Sequence, residues 1–480
     1  MKENRPSTIF IKKNTSNGNF QLSYDIMIEG KSEEDFSLRF DTIVSDSKQS
    51  KTEKLIMQDH LFVWIVDNDY QDRLTQLKNI INKIDVFTDP DEAIDFISNV
   101  EKIKVFLILE NNIGQRLIPR IHNMPQIHAI YIFDNKQIED AQWIRSWNKI
   151  RGIHTHTNEI CQVLERSVKQ FNQNNIPVSF VSKEEVTGDC NLNELDPLFM
   201  YTQIFKEILL GMSYTEQAVK DFTTFFGAND GFTPAKIDQF EKEYQPQSAV
   251  FWYTKEKFLY SQLNLALRTM QADAIIKMGF FIHDLHCQIE SLHQQHINAN
   301  HEKIVKLYRG QSFSEKDFKK LLKAKDGLIS FNNFLSTSRD ETVSKMWLGG
   351  ASQNPGIVDI LFEISVDSNV PSAPFALIEE LSRFSEEKEV LFAMHSVFRV
   401  NTITLVDNNE GKFYRVELKL TADDDKQLRL LTERISAEIV GDTGWKRLGI
   451  LLLRIAQFDQ AEKLYNTLGV SDLRLVRTNY

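Results

Sequence analysis

The chain has 480 residues, 42% apolar and 26% charged, which is ordinary for folded domains, excludes a disordered chain and argues for roughly two to four domains. Its formal net charge of −11, with no basic patch evident along the chain, sets it against phosphate backbones and anionic lipid, so no nucleic-acid partner is expected. The opening MKENRPSTIFIKKNTSNG has no apolar signal core, and LFVWIV and LGILLL fall far short of the roughly 20 residues of a bilayer span; no membrane partner and a cytoplasmic address are expected. Cys161, Cys190 and Cys287 show no zinc or disulfide spacing and suit a reducing compartment. His283, His286 and Cys287 are the one set with ligand-like spacing, but on an amphipathic helix such residues serve packing and surface, so no metal is expected.

Residues 1–57 mix short apolar pieces, STIFI and FQLSYDIMI, with polar connectors and have no assignable role. From Leu61 the texture becomes regular: LFVWIVD, a helical stretch to Ile84, DVF, PDEAIDFISNV, KVFLILE, a helix near Ile118, HAIYIFD, a helix around Trp143, IRGIHT and NEICQVLERSVKQF. Short apolar strands alternating with helix-period segments predict a parallel α/β sheet, covered on both faces, over 58–178. With WIVDND at 64–69 as an acidic strand end, this order resembles a receiver or flavodoxin-like module. Glu110 ends the third strand where a receiver carries aspartate, and Lys149 is followed by Ile150-Arg151 rather than proline, so the resemblance implies a scaffold without a phosphoacceptor.

Residues 193–300 read as helices throughout, with apolar residues at three-and-four spacing in PLFMYTQIFKEILLGM and in YTKEKFLYSQLNLALRTMQADAIIKMGFFIHDLHCQIESL. From Val305 strands and turns take over, and the whole of 193–422 is expected to be an α+β domain with an antiparallel β region. Residues 430–470 read as a short α-helical hairpin. There Trp445, Leu448, Gly449, Phe458, Ala461 and Tyr465 resemble a tetratricopeptide unit, with departures at Leu452 and Leu468. One repeat cannot bury its own face, so it either packs on the β region or is a shortened array; the resemblance implies protein partners there.

RFSEEKEVLF, residues 383–392, places carboxylates directly before a strand. Strand alternation would set Glu387 and Glu389 on one face, with Glu386 and Lys388 on the other. Taken alone the pair is a solvated strand end. LYRG supplies Tyr308, Arg309 and Gly310, and FLSTS supplies Ser336, Thr337 and Ser338 after Phe334. Singly, these fit a surface ion pair and a turn or helix cap equally well. In this order, behind a helical lobe, they resemble the R-S-E mono-ADP-ribosyltransferases over about 195–420, with FWYTKEKFLYSQLNLALR at 251–268 similar to the lobe's NAD-side helix.

The resemblance implies an ADP-ribosyltransferase fold for this α+β domain and NAD, or NADP, as co-substrate. Cofactor contacts would come from Tyr308, Arg309, Gly310, Ser336 and Glu389, and catalysis from Arg309, Ser336, Glu387 and Glu389. Arg309 would hold the diphosphate, Glu389 would stabilise positive charge growing on the ribose, and Ser336 would orient Glu389. Glu387 would take a proton from an arginine acceptor, implying transfer to arginine side chains of proteins with release of nicotinamide. Phe384 fits acceptor contact and loop packing alike; Trp252 and Tyr253 read as lobe core. Two other readings stay open: an NAD glycohydrolase, and an inert scaffold with a transferase fold. Physiological acceptor, NAD or NADP preference, oligomeric state and the role of the N-terminal module are not legible.

Overall fold

The computed structural model describes residues 60–464 with interruptions, the longest at 67–72, 78–83, 135–142, 184–196, 228–233, 349–355, 382–387 and 434–443, plus four outlying backbone strands. The chain divides into two units, Met1–Ile56 with Leu452–Tyr480, and Met57–Leu451. In the first unit, strands β1 (Ile9–Thr15), β2 (Gln21–Ile28) and β3 (Leu38–Ile43) form an antiparallel meander, and Leu475–Val476 pairs parallel to β1. The period-two run Leu22, Tyr24, Ile26, Ile28 is the sequence signal for β2.

The second unit opens with the expected parallel sheet. Its strands are β4 (His60–Ile65), β5 (Asp85–Phe87), β6 (Lys104–Glu110), β7 (Ile127–Phe133) and β8 (Ile150–His154), ordered β5-β4-β6-β7-β8. Counted from β4 that order is 2-1-3-4-5, a doubly wound arrangement. Helices α1 (Pro90–Ser98) and α2 (Asn111–Ile121) cover one face, where Ala93, Ile97, Leu117 and Ile118 pack on Val63, Ile65, Leu107 and Ile132. Helix α3 (Thr157–Asn174) covers the other, packing Ile160, Leu164 and Phe171 on Trp64, Phe106 and Tyr131. Burial on both sides is why VFLIL runs apolar without alternating. The acidic residues of WIVDND and most of the helical stretches expected before Ile84 and around Trp143 lie outside the described residues.

Two irregularities mark the sheet. In the β6–β7 pairing Val105 faces Ile127 but Phe106 faces Ala129, which leaves His128 as an extra residue. In the β7–β8 pairing Ile130 faces Ile150 but Tyr131 faces Gly152, which does the same to Arg151. Each is a bulge, a device that redirects one side chain.

Strand β9 (Val178–Val181) leaves this sheet and becomes the edge of a larger one. The helical lobe follows: α4 (Pro197–Leu210), α5 (Gln217–Gly227), α6 (Pro234–Glu243), α7 (Ala249–Lys255), α8 (Lys257–Thr269) and α9 (Ala272–Ala299). FWYTKEKFLYSQLNLALR is helical on both sides of position 256, as expected of the lobe. Phe222, Phe226, Phe240 and Trp252 form an aromatic lobe core.

Then come β10 (Ile304–Ser314), α10 (Glu315–Lys323), β11 (Leu328–Phe331), β12 (Leu335–Ser338), α11 (Glu341–Lys345), β13 (Ile357–Asp367), β14 (Phe375–Leu377), β15 (Glu389–Phe392), β16 (Ser396–Asn408) and β17 (Gly411–Leu420). The sheet order is β14-β15-β12-β10-β13-β17-β16-β11-β9. Pairing is antiparallel as expected, except that β13 and β17 run parallel. Phe331, Phe362, Phe392 and Phe398 sit at the centre of its core. The lobe is fastened to the sheet by His293 Nδ1, which donates to Phe375 O over 3.0 Å, and by Asn333 Nδ2, which donates to Asn264 Oδ1 over 2.8 Å. Near the C-terminus α12 spans Gly444–Arg454; Phe458, Ala461 and Leu464 are also helical, but the rest of the expected second helix lies outside the described residues.

Candidate active site

Three neighbouring strands bring three of the expected residues together. β15, β12 and β10 lie side by side, with Glu389 opposite Ser338 and Ser338 opposite Tyr308. Ser336 Oγ donates to a carboxylate oxygen of Glu389. Arg309 Nη1 donates to Ser336 O over 2.8 Å, and its Nε donates to Gln311 Oε1 over 3.1 Å. Both of these acceptors are neutral, so neither cancels the guanidinium charge. The cluster is withdrawn from solvent, Arg309 being 3% and Glu389 6% exposed. Burial lowers the Arg309 pKa to about 10 against the opposing influence of Tyr260, Tyr253 and Glu389, which leaves it cationic at neutral pH.

Gly310, Thr337 and Ser338 also have structural tasks. A Cβ on Gly310 would stand 2.1 Å from Ser344 O, so glycine is what lets α11 close on β10 beside Arg309. Thr337 Oγ1 donates to Val390 O over 2.9 Å, tying β12 to β15, and Ser338 Oγ accepts from Asp340 N over 3.0 Å, shaping the entry to α11.

Glu387 and Phe384 lie outside the described residues. Lys388 has φ of 44°, in the left-handed region, so the extended chain begins at Glu389. The expectation that Glu387 and Glu389 share a face falls on Glu387 and so lies outside the described residues.

The lobe adds groups the sequence reading passed over. Tyr253 is in the core as expected, 2% exposed, with its ring 5.9 Å from Phe334 and 5.1 Å from Tyr260. It also borders the site, since burial drives its phenol well above the ordinary value while Tyr260, Asn264, Glu389 and Arg309 act on it. Tyr260 and Asn264 stand one turn apart on α8, and Gln311 stands two residues beyond Arg309 on β10. These i,i+4 and i,i+2 offsets are the signals that would have found them.

The other sequence candidates are separate. Cys287 Sγ lies 3.8 and 3.9 Å from the two ring nitrogens of His283, while burial lowers His286 to about 3. Among the described residues no three His, Cys, Asp or Glu side chains are placed to hold a metal, and no helix is long and apolar enough to cross a membrane. Glu110, at the end of the third parallel strand, pairs with Arg73 at 3.0 Å, and that guanidinium lies over the rings of Phe133 and Trp64 at 5.0 and 5.5 Å.

Residues 232–427, spanning most of the lobe and the sheet with Arg309, Ser336 and Glu389, match the family model described as ADP-ribosyltransferase exoenzyme. That region is therefore ADP-ribosyltransferase-like. No curated protein matches the chain. Among solved structures it is similar to ADP-ribosyltransferase HopU1 of Pseudomonas syringae at 17% identity and a TM-score of 0.30, covering 44% of this chain and 99% of that one. It is also similar to Plx2a, an ADP-ribosyltransferase toxin from Paenibacillus larvae, at 14% identity and 0.28 over 38% and 90% of the two chains. A third is exoenzyme S from Pseudomonas aeruginosa, solved with human 14-3-3 protein beta and carba-NAD, at 18% identity and 0.28 over 43% and 88%.

Proposed function

We propose that the protein is an NAD-dependent mono-ADP-ribosyltransferase that modifies arginine side chains of proteins and releases nicotinamide. The observation that carries this reading is the part-buried Ser336–Glu389 hydrogen bond, with Arg309 held on Ser336's own carbonyl, inside the span that matches the exoenzyme family. A second carboxylate at Glu387, two positions before Glu389, supports the arginine acceptor.

Cleaving the bond between ribose C1′ and the nicotinamide nitrogen sends its electron pair to the leaving group, which departs neutral, while positive charge grows on the ribose. A fixed carboxylate beside C1′ stabilises that charge more than it stabilises bound NAD. Glu389 takes this role, and the hydrogen bond from Ser336 fixes its orientation. Arg309, cationic and set by Gln311 and Ser336, binds the diphosphate through its planar fork. An acceptor guanidine nitrogen then attacks C1′ and loses a proton, which Glu387 accepts. Acceptor proteins in the cytoplasm, and partner contacts through the C-terminal helical segment, belong to the same reading.

The test is purified protein with NAD, NADP in parallel, and agmatine as a free guanidine. Nicotinamide and ADP-ribosyl-agmatine should form together. Release of nicotinamide and ADP-ribose with agmatine unchanged would replace transfer by hydrolysis, and no cleavage would leave an inert fold.

A further inference from the structure

The acidic chain shows no basic run in its sequence, yet the parallel sheet assembles one. The residues involved are spread over nearly fifty positions and stand at the starts of neighbouring strands: Lys104 opens β6, His128 is second in β7, and Lys149 and Arg151 flank Ile150 at the start of β8. His128 and Arg151 are the two bulge residues, so each departs from the pairing that would bury its neighbours. Bulges are uncommon in parallel pairs, and two on adjacent strands that both redirect a basic side chain call for a cause.

Charge balance supplies one. Arg151, Lys104, His60 and Lys149 all act on His128, and burial together with these cations lowers it to about 4. Among the described residues no carboxylate pairs with Lys104, His128, Lys149 or Arg151. Lys104 Nζ donates to Pro125 O and Lys149 Nζ to Met124 O, at 2.8 and 2.7 Å, so both ammoniums are anchored on neutral carbonyls of one turn. Arg151 is partly buried, and burial lowers its pKa even though Tyr131 opposes this. Cations gathered at one sheet edge, two of them partly desolvated and none facing a carboxylate among the described residues, are arranged for an anion brought from outside.

We propose that this edge of the parallel sheet, formed by Lys104, His128, Lys149 and Arg151, is a binding site for a small phosphate-bearing ligand. Size and overall charge favour a compact anion. His128 packs against Phe106 at 5.1 Å and Phe171 at 5.0 Å between ring centroids, so only a small group can reach it, and the net charge of −11 repels long polyanions. Arg151 offers the planar fork that matches a phosphate face, and the two lysines add point charges. The site is independent of the transferase reading.

The experiment is calorimetric titration of the full chain with inorganic phosphate and with pyrophosphate at constant ionic strength, with chloride as control. Saturable binding of either phosphate, weakened about tenfold or more by Arg151→Met and less by Lys104→Met, is expected. Lys104 is exposed, so its variant keeps the test decisive should Arg151→Met fail to fold. No saturable heat in the unaltered chain, or equal binding in Lys104→Met and in the unaltered chain, overturns the proposal. Binding of short RNA in preference to either phosphate would replace the small ligand by a macromolecule and overturn it too.

Discussion

Ser336 gives its hydroxyl to Glu389 and its carbonyl to Arg309, so one serine sets both charged groups of the candidate site. Ser336→Ala should therefore lower kcat for NAD cleavage by roughly tenfold, the scale of one lost hydrogen bond to a charged group. Glu389→Gln should do more, roughly 10²–10³-fold, because it removes the charge that the transition state meets. Glu387→Gln should leave nicotinamide release near the unaltered rate while suppressing ADP-ribosyl-agmatine; parallel loss of both products would remove its assigned role. Arg309, Ser336 and Glu389 were legible because each sits in a short quoted motif. Gln311 was passed over although it bonds Arg309, since a glutamine two positions along a strand carries no signature until the alternation is applied to it. Tyr260 and Asn264 needed the packing of α8 against the sheet, which no local pattern states.

Helix α10 escaped the sequence reading, and α11 entered it only as the alternative of a turn or cap at STS, because nine and five residues are too short for a hydrophobic period to declare itself. Their caps were nonetheless written in the chain, with Ser314 Oγ accepting from Asp317 N at 3.1 Å and Asp340 Oδ1 accepting from Thr342 N at 2.9 Å. α11 presses on β10 at Gly310, where an added methyl would meet Ser344 O at 2.1 Å. Gly310→Ala should cost about 1–3 kcal/mol in urea unfolding and also disturb NAD binding, because it pushes on the strand that carries Arg309. Strand β9 is the other element with a testable role. It covers the edge of β11, so a fragment beginning after Val181 should aggregate more readily than one beginning at residue 175. Register is what the alternating pattern could not show: the bulges at His128 and Arg151 leave the apolar rhythm of their strands nearly unchanged, yet they decide where an imidazole and a guanidinium go.

The alternation of strands and helices in the first half of Met57–Leu451 made its parallel sheet readable, and the change from helices to strands in the second its α+β character, whereas the strands of the first unit, even β2 with its period-two run, stand among polar connectors that gave them no role. Buried histidines give the whole chain a defined response to acid. His128 is lowered to about 4, His286 to about 3 and His395 well below its ordinary value, in each case chiefly by burial. In the unfolded chain each takes up a proton below about pH 6.5, but in the folded chain it does not until far lower pH. Stability contributed by these neutral rings is therefore present above that value and lost as pH falls through it, at about 1.4 kcal/mol per pH unit for each group. Urea midpoints in phosphate-free buffer should drop between pH 7 and pH 5; a flat profile would contradict the burial of these rings. The most direct trial of the transferase reading is labelled NAD with agmatine, run on the unaltered protein and on Glu389→Gln. Joint formation of nicotinamide and ADP-ribosyl-agmatine, cut by roughly 10²–10³-fold in the variant, is the predicted result, and undiminished turnover by the variant, or none by the unaltered protein, would contradict it.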